Sequence, residues 1–191
     1  VKPDSTRIIP TIVAEQAAKT PNAVAVVCPT RTYTYRELNE GANRYAHWAK
    51  AQGIRKGDVV ALLMENRAEY MMAWMGVVKL GGIMALINTN LRGGPLAHSI
   101  NISNVKHVVV GQELASTYAE VASHIDNKPM VWSAGGPAAG AEDLDAILHT
   151  LPGTPPQIQD VVTCKDRVFY IFTSGTTGMP KAANISHTRM L

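Results

Sequence analysis

Short apolar runs that alternate with amphipathic segments constrain the fold of this chain more than any other feature. The runs are Val59–Met64, Ile83–Ile87, His107–Val110 and Met130–Trp132. Helical patterns separate them, over about 66–79, 95–103 and 112–123. Val- and Ile-rich strands that alternate with helices are typical of a mostly parallel sheet with helices on both faces. The sequence therefore predicts an α/β fold with right-handed crossovers.

The residues before the first of these strands carry their own structural signals. Apolar residues at helical spacing predict an amphipathic helix over about 6–19. Ala23–Cys28 and Arg31–Tyr33 predict a two-stranded hairpin. Thr34 and Glu37 match a capping box, in which each side chain accepts from the other residue's backbone N–H. We expect a long helix to begin at this box.

Single residues mark the ends of the next helices. Gly53 is expected to end the capping-box helix in the left-handed conformation. Asn66 is the expected N-cap of the following helix, because asparagine side chains accept well from free backbone N–H groups. That helix should run to about Lys79 and stop at Gly81.

Composition divides the chain into three parts of one domain. Residues 6–133 form the predicted core. Residues 134–160 are rich in Gly, Ala and Pro, and predict a surface excursion with one short helix within Glu142–His149. Residues 166–186 predict a strand, a loop and a returning strand at about Ala182–Ser186.

Charge and cysteine content indicate which partners and which redox compartment to expect. The net charge is +3, but the basic residues are scattered and their densest cluster is Arg55-Lys56, which is too small for a nucleic-acid footprint. Cys28 and Cys164 lie far apart in no metal-like spacing, and predict small buried residues of a reduced, cytoplasmic protein.

Two segments bear on membranes and secretion. Val1–Asp4 leads into no apolar segment, so no signal peptide is expected. Met71–Leu91 is apolar but contains Lys79 and a pair of glycines, which predicts a buried helix, a turn and a strand rather than a spanning helix. Peripheral attachment to a membrane surface stays open.

The string from Tyr170 to Lys181, Tyr-Ile-Phe-Thr-Ser-Gly-Thr-Thr-Gly-Met-Pro-Lys, carries the chemistry. The run Val168–Thr173 is apolar except for its last residue, which predicts a buried central strand that delivers the loop. Gly175 and Gly178 permit backbone conformations that are closed to other residues. Successive N–H groups in such a loop form an anion-binding concavity.

Side chains of the same loop add donors and charge. Thr173, Ser174, Thr176 and Thr177 supply hydroxyl groups. Lys181 supplies a mobile positive charge suited to phosphate oxygens. Together these groups predict a cradle for a polyphosphate at the end of a strand.

Two other phosphate loops do not match this string. The Walker loop requires Lys directly after Gly and then Ser or Thr, whereas Lys181 trails Gly178 by three residues and precedes Ala182. The G-x-G-x-x-G dinucleotide pattern is also missing from it. A lone Gly-Thr-Thr-Gly is more often a flexible turn with an exposed lysine, so the assignment depends on all twelve residues.

The twelve-residue string resembles the phosphate-loop signature of the adenylate-forming superfamily. This superfamily contains acyl-CoA synthetases, peptide-synthetase adenylation domains and firefly luciferase. Most members have Gly where this sequence has Ala182. The variant Lys181-Ala182-Ala183, followed by His187 and Arg189, is similar to the branch of fatty acid transport proteins and very-long-chain acyl-CoA synthetases.

Two upstream stretches, Thr32–Asn39 and Lys79–Arg92, are similar to further segments of the family, and the second again resembles the transport-protein branch. These stretches are mainly structural signals. Tyr33, Leu38, Asn88 and Asn90 within them are expected to be packing or turn residues.

The resemblance implies an identity and an activity. Residues 1–191 would be the N-terminal part of the AMP-binding large domain, with the C-terminal remainder absent. Such enzymes join ATP and a carboxylic acid into an acyl-adenylate, and CoA thiol then displaces AMP. The implied substrate is a long- or very-long-chain fatty acid and the implied cofactors are ATP, CoA and Mg²⁺, with no metal ligand in this segment. We expect this chain alone not to catalyse ligation.

The resemblance also implies roles for the loop residues. Thr173, Ser174, Gly175, Thr176, Thr177 and Gly178 would hold the β- and γ-phosphates. Lys181 would neutralise the charge of pyrophosphate, and Thr176 and Lys181 would be the catalytic pair. The loop would stabilise developing charge, because the substrate carboxylate is the nucleophile.

Other interpretations stay open at this point. One is an adenylation domain that loads an amino or aryl acid onto a carrier protein, and another is a non-catalytic interaction module. His187 follows the loop closely in sequence and is a candidate for contact with the acyl or nucleotide site. The remaining histidines show no ligand spacing, and the oligomeric state is not indicated by the sequence.

Overall fold

The computed structural model describes residues 2, 4–29, 31–174 and 179–191 of the chain, with only the backbone of Ser174. In these ranges the strands are β1 (Val24–Val27), β2 (Thr32–Thr34), β3 (Val59–Leu63), β4 (Ile83–Leu86), β5 (His107–Gly111), β6 (Met130–Ala134), β7 (Glu142–Asp143), β8 (Arg167–Ser174) and β9 (Pro180–Ser186). The helices are α1 (Ile9–Lys19), α2 (Tyr35–Ala51), α3 (Ala68–Lys79), α4 (Gly93–Ile102), α5 (Ala115–Ala119), α6 (Leu144–Thr150) and α7 (His187–Met190).

A seven-stranded sheet with the order β7-β6-β5-β3-β4-β8-β9 forms the centre of the fold. All neighbouring strands in it are parallel except β8 and β9, which are antiparallel. The predicted α/β class is therefore confirmed. β1 and β2 pair outside this sheet as the predicted antiparallel hairpin.

Helices cover both faces of the sheet. Successive strand residues point to opposite sides, so each strand contributes side chains to both faces. In β3, Val60 and Leu62 belong to a cluster with residues of α2 and α3. Ala61 and Leu63 belong to a second cluster, which contains residues of α4 and α5. The strands nearest the centre are thus buried on both sides, as their continuous apolar runs predict.

Helices α2 and α3 approach closely because a glycine lies at their crossing. A Cβ built on Gly76 of α3 would lie 2.4 Å from Tyr45 Cβ and 2.7 Å from the carbonyl oxygen of Ala42 in α2. Real Cβ atoms do not approach so near, and packed interiors yield little. Glycine is the residue that lets this crossing form.

The start of α2 confirms the predicted capping box. The Thr34 hydroxyl accepts from Glu37 N–H at 3.2 Å, and the Glu37 carboxylate accepts from Thr34 N–H at 2.8 Å. The carboxylate also pairs with the Arg31 guanidinium. Gly53 follows the helix with φ of +73°, which confirms its left-handed conformation.

The expected cap at Asn66 is wrong. The N-cap of α3 is Arg67, which is extended and makes no side-chain cap. Its guanidinium instead donates to the Glu113 carboxylate at 2.8 Å and to the Ala134 carbonyl at 2.9 Å. These bonds tie residue 67 to the ends of β5 and β6, so the chain stays extended one residue longer than the local pattern suggests.

The single helix predicted over 112–123 is also wrong. The segment forms a 3-10 turn at Gln112–Leu114, the short α5, and a second 3-10 turn at Ala122–His124. The Glu113 carboxylate accepts from the Glu65 N–H at 3.0 Å and from Arg67. The hydrogen bonds of Glu113 therefore hold the first turn in place at the expense of one regular helix.

The predicted excursion over 134–160 is closely packed against the body of the fold. It contains the edge strand β7 and helix α6, which contacts α2. Residues 151–161, here called the strap, follow α6 and contain three prolines. The three-part division at 134 and 160 stays a prediction.

Side chains on and just after α2 hold the strap through its carbonyl oxygens. The pairs are Arg44 Nε to Leu151 at 3.3 Å, Asn43 Nδ2 to Gly153 at 2.7 Å, His47 Nε2 with Thr154 at 2.9 Å, Lys50 Nζ to Gln157 at 2.9 Å and Lys56 Nζ to Val161 at 2.7 Å. A proline-rich segment lacks several N–H groups and cannot join a sheet ladder, so its carbonyls need such donors.

We predict different effects for two helical glycine substitutions. Gly76→Ala should lower the free energy of unfolding by about 1–3 kcal/mol, because the new methyl group overpacks the α2–α3 crossing. Gly94→Ala in α4 meets no atom within 4 Å and should be neutral or stabilising. Urea denaturation of both variants checks this. Equal effects would refute the close crossing.

Candidate phosphate-binding site

Strands β8 and β9 hold the two ends of the predicted phosphate loop at the carboxyl edge of the sheet. β8 runs parallel to β4, with Leu86 opposite Ile171, and continues past the end of β4. β9 returns antiparallel, with Thr173 opposite Lys181 and Ser174 opposite Pro180. The two described ends of the loop thus lie at the edge where ligands of open α/β sheets bind.

Thr173 and Lys181 are brought together by this pairing. Residues directly opposite each other in an antiparallel pair point to the same face of the sheet. Both are exposed, and within the described ranges Lys181 takes part in none of the ion pairs. The sequence prediction of a hydroxyl and a mobile cation at the mouth of the loop fits this geometry.

The centre of the predicted loop lies outside the described residues. This holds for Gly175, Thr176, Thr177 and Gly178. Ser174 belongs to β8 by its backbone. The roles given to these residues stay predictions that depend on the sequence string.

The predicted complete burial of β8 is wrong for its second half. Val168 and Phe169 are buried, and the Phe169 ring meets Trp74 of α3 edge-on at 5.1 Å between centroids. Ile171 is 39% exposed and Thr173 is exposed. In this second half only one face is covered, because Phe172 packs against the cluster that contains residues of α4.

His187, the candidate for contact with the acyl or nucleotide site, lies far from the described ends of the loop. Because β9 is antiparallel to β8, Ser186 pairs with Arg167 at the start of β8. His187 therefore follows at the opposite edge of the sheet, separated from the loop by roughly 20 Å of strand. Its backbone N–H donates to the Asp166 carbonyl at 3.1 Å.

The His187 ring is fully buried and polar. Neither ring nitrogen has a hydrogen-bond partner among the described residues. Burial lowers the pKa of His187 to about 4, with a small opposing effect from Asp166. The ring is therefore neutral near pH 7 and brings no charge to a phosphate.

Residues 88–92, which follow β4, are neighbours of the loop that the sequence analysis did not predict. Only the pairing of β4 with β8 brings them there. Asn88 Oδ1 accepts from the Asn90 N–H at 2.9 Å, which agrees with the turn role expected for both residues. Arg92 Nη1 donates to the carbonyls of Thr89 at 2.6 Å and Leu91 at 2.7 Å. A second cation is thus fixed at the edge that carries the loop.

A further polar cluster joins the carboxyl ends of β3, β5 and β6. Glu113, after β5, accepts from Glu65 and Arg67, which follow β3, and Arg67 also reaches the carbonyl of Ala134. Burial acts to raise the pKa of Glu113, but the Glu65 N–H and the Arg67 guanidinium outweigh it, and the pKa lies below its ordinary value. No sequence pattern indicates this cluster, because its members come from three separate loops.

The described residues show neither a metal cluster nor a spanning helix. No group of three or more His, Cys, Asp or Glu side chains lies close enough to hold a metal ion within these ranges. Nor does any helix found there combine the length and the hydropathy that crossing a bilayer requires.

Comparison with protein families gives a match over most of the chain. The model of the family described as AMP-binding enzyme matches residues 13–191. The chain belongs to this family. The match includes β8, β9 and the loop between them, so the family assignment covers the candidate site.

Curated relatives of this family member are similar over nearly its whole length. Medium/long-chain-fatty-acid–CoA ligase FadD6 of Mycobacterium tuberculosis is 35% identical over 100% of this chain, which covers 31% of the relative. Long-chain fatty acid transport protein 1 of Mus musculus is 36% identical over 95% of this chain and 29% of the relative. The chain thus spans about a third of the length of the relatives it matches.

Solved structures of other AMP-binding enzymes have the same fold. The inhibitor-bound N-terminal domain of FACL13 from Mycobacterium tuberculosis is 30% identical, with a TM-score of 0.82 over 94% of this chain and 44% of that one. A fatty acyl CoA synthetase of Mycobacterium tuberculosis is 28% identical, with a TM-score of 0.83 over 96% and 35%. The sheet described above is therefore the N-terminal fold of adenylate-forming enzymes.

We predict that His187 makes stability depend on acid pH. Its pKa of about 4 in the folded chain lies below the unfolded value of about 6.5. Its contribution is therefore complete above pH 6.5 and is lost as the pH falls toward 4. By pH 5 the unfolded state gains about 2 kcal/mol from protonation of this residue.

His187→Leu should remove this dependence. The difference in unfolding free energy between variant and wild type should shift by about 2 kcal/mol in favour of the variant from pH 7 to pH 5. Urea melts at both values measure it, with the exposed His124→Leu as the control. A difference that does not change with pH would show that the His187 ring is charged or hydrated in the fold.

Proposed function

We propose that the full-length protein activates a long- or very-long-chain fatty acid with ATP to acyl-AMP and then forms acyl-CoA. The observation that carries this proposal is the pairing of Thr173 with Lys181 at the mouth of the predicted phosphate loop. The similarity to proteins named fatty-acid–CoA ligases and long-chain fatty acid transport proteins supports the substrate class.

In the first step, a carboxylate oxygen of the fatty acid attacks the α-phosphorus of ATP, and the bond to pyrophosphate breaks. Residues 173–178 hold the β- and γ-phosphates through hydroxyl and backbone N–H groups, while the Lys181 ammonium stabilises the departing charge. Thr176 and Lys181 are the groups proposed to act in catalysis. The position of Lys181 on a strand, next to Thr173, limits the reach of its ammonium to the mouth of the loop.

In the second step, the thiol of CoA attacks the acyl carbon and AMP leaves. The described residues offer no carboxylate cluster suited to Mg²⁺. Mg²⁺ is part of the proposal only as the usual partner of ATP phosphates. Peripheral membrane attachment is likewise a proposal, supported by the names of the transport-protein relatives.

We predict that Lys181→Ala in the full-length protein lowers fatty-acid-dependent ATP–pyrophosphate exchange by roughly 100-fold, because a charge aimed at the leaving group is lost. The matched control is Lys165→Ala. Lys165 pairs with Asp4 near the start of β8, away from the loop, and its loss should leave exchange unchanged.

A second variant tests the loop itself. Thr176→Ala should also lower exchange while the urea midpoint of the protein stays the same. If both Lys181→Ala and Thr176→Ala retain wild-type exchange, the phosphate-cradle assignment is wrong. Equal loss in Lys165→Ala would indicate a general effect of charge rather than a site.

A further inference from the structure

Arg92 is a cation at the carboxyl edge of the sheet to which the proposed function gives no role. It lies in the segment between β4 and α4 and directly precedes the helix. The residue is exposed, and it forms none of the ion pairs found in the described ranges. No carboxylate of the described chain therefore explains its charge.

The Arg92 side chain is held in place by the turn that it follows. Its Nη1 group donates to the carbonyl of Thr89 at 2.6 Å and to that of Leu91 at 2.7 Å. The Nε and Nη2 groups donate to none of the described residues, so part of the guanidinium fork keeps its donors. A side chain that is already ordered loses less entropy when it binds a ligand than a mobile surface arginine does.

The fold places Arg92 beside the end of β8. β4 pairs with β8, with Leu86 opposite Ile171, and the segment that carries Arg92 continues from β4. Leu91, its neighbour, packs against the same apolar cluster as Phe172. Helix α4, which begins directly after Arg92, contacts β9. Arg92 thus starts a helix that passes from β4 to β9 next to the described end of the predicted phosphate loop.

Lys181 approaches the same edge from the opposite face of the sheet. Thr173 lies two residues beyond Ile171 on β8 and pairs with Lys181 on β9, so these three side chains share one face. Phe172 points to the other face, on which Leu91 packs. Two cations therefore flank the end of β8, one from each face.

This arrangement suits a polyphosphate better than a single anion. β4 and β9 lie on either side of β8, so the backbones that carry Arg92 and Lys181 are about 10 Å, or two strand spacings, apart. Both side chains are long enough to reach a phosphate chain above the end of β8. A guanidinium binds two phosphate oxygens at once, whereas an ammonium acts as a point charge.

We propose that Arg92 is a second phosphate-binding cation of this site and holds the β- and γ-phosphates of ATP together with Lys181. The inference rests on the proposed function, because it names a further binding residue for the same reaction. Arg92 contacts the phosphates before and during the chemical step, whereas Lys181 stabilises charge that develops on the leaving group. Loss of Arg92 therefore weakens ATP binding more than it slows the chemistry.

Steady-state ATP–pyrophosphate exchange by the full-length protein tests the proposal. Arg92→Gln should raise the KM for ATP by roughly tenfold and leave kcat within about threefold, as expected for the loss of a charge-assisted hydrogen bond. Arg92→Lys keeps the charge and should raise the KM by less than about threefold. The matched control is Arg167→Gln, because Arg167 is exposed at the start of β8, at the opposite edge of the sheet, and should leave both constants unchanged.

The two Arg92 variants separate phosphate binding from support of the turn. Both lose the guanidinium that holds the carbonyls of Thr89 and Leu91. Equal KM values for ATP in the two variants would show a structural role and overturn the proposal. A raised KM for CoA in thioester formation, with an unchanged KM for ATP, also overturns it, because Arg92 would then bind the other phosphorylated substrate.

Calorimetric titration with pyrophosphate distinguishes failure of this inference from failure of the proposed function, because it requires no turnover. Arg92→Gln should weaken pyrophosphate binding by roughly tenfold. Wild-type exchange, with KM and pyrophosphate affinity unchanged in Arg92→Gln, refutes only the role of Arg92. Pyrophosphate binding that depends on Arg92, without exchange in the wild type, refutes only the proposed function.

Discussion

The pairing of β8 with β4 is the constraint on which the rest of the structure depends. Met84 lies opposite Phe169 and Leu86 opposite Ile171, so strands that are about 80 residues apart in sequence become neighbours. Between β4 and β8 the chain passes through β7, which lies at the far edge of the sheet. Its return must cross roughly 24 Å, or five strand spacings, to reach β8.

The strap makes that return possible and determines how it is held. Its carbonyls bond to Asn43, Arg44, His47, Lys50 and Lys56, so the return path lies along α2 rather than free in solvent. Such non-local contacts carry a loop-closure cost before they contribute stability. Asn43 also accepts from the Lys79 ammonium, a contact that links the strap, α2 and α3 in one polar network. Burial lowers the pKa of Lys79 to about 8. Its ammonium donates to Asn39 and Asn43 and forms no ion pair with the described residues.

Two kinds of electrostatics coexist at the carboxyl edge of the sheet. Near β3, β5 and β6, the charges of Arg67 and Glu113 are paired with one another and hydrogen-bonded to a carbonyl and an N–H group. Gly135 fits there because its φ is +93° and a Cβ would lie 2.8 Å from the Arg67 guanidinium. Near β8 and β9, Lys181 is exposed and forms no ion pair in the described part of the chain.

Local chemistry in the sequence determined the parallel α/β class, the hairpin, the capping box at Thr34 and the strand pair around Thr173 and Lys181. These features depend on side-chain periodicity and on residues a few positions apart. The helix cap at Arg67, the broken helix after Gln112 and the position of His187 were decided only by the tertiary structure. Each depends on a partner from another loop or on the direction in which a strand returns.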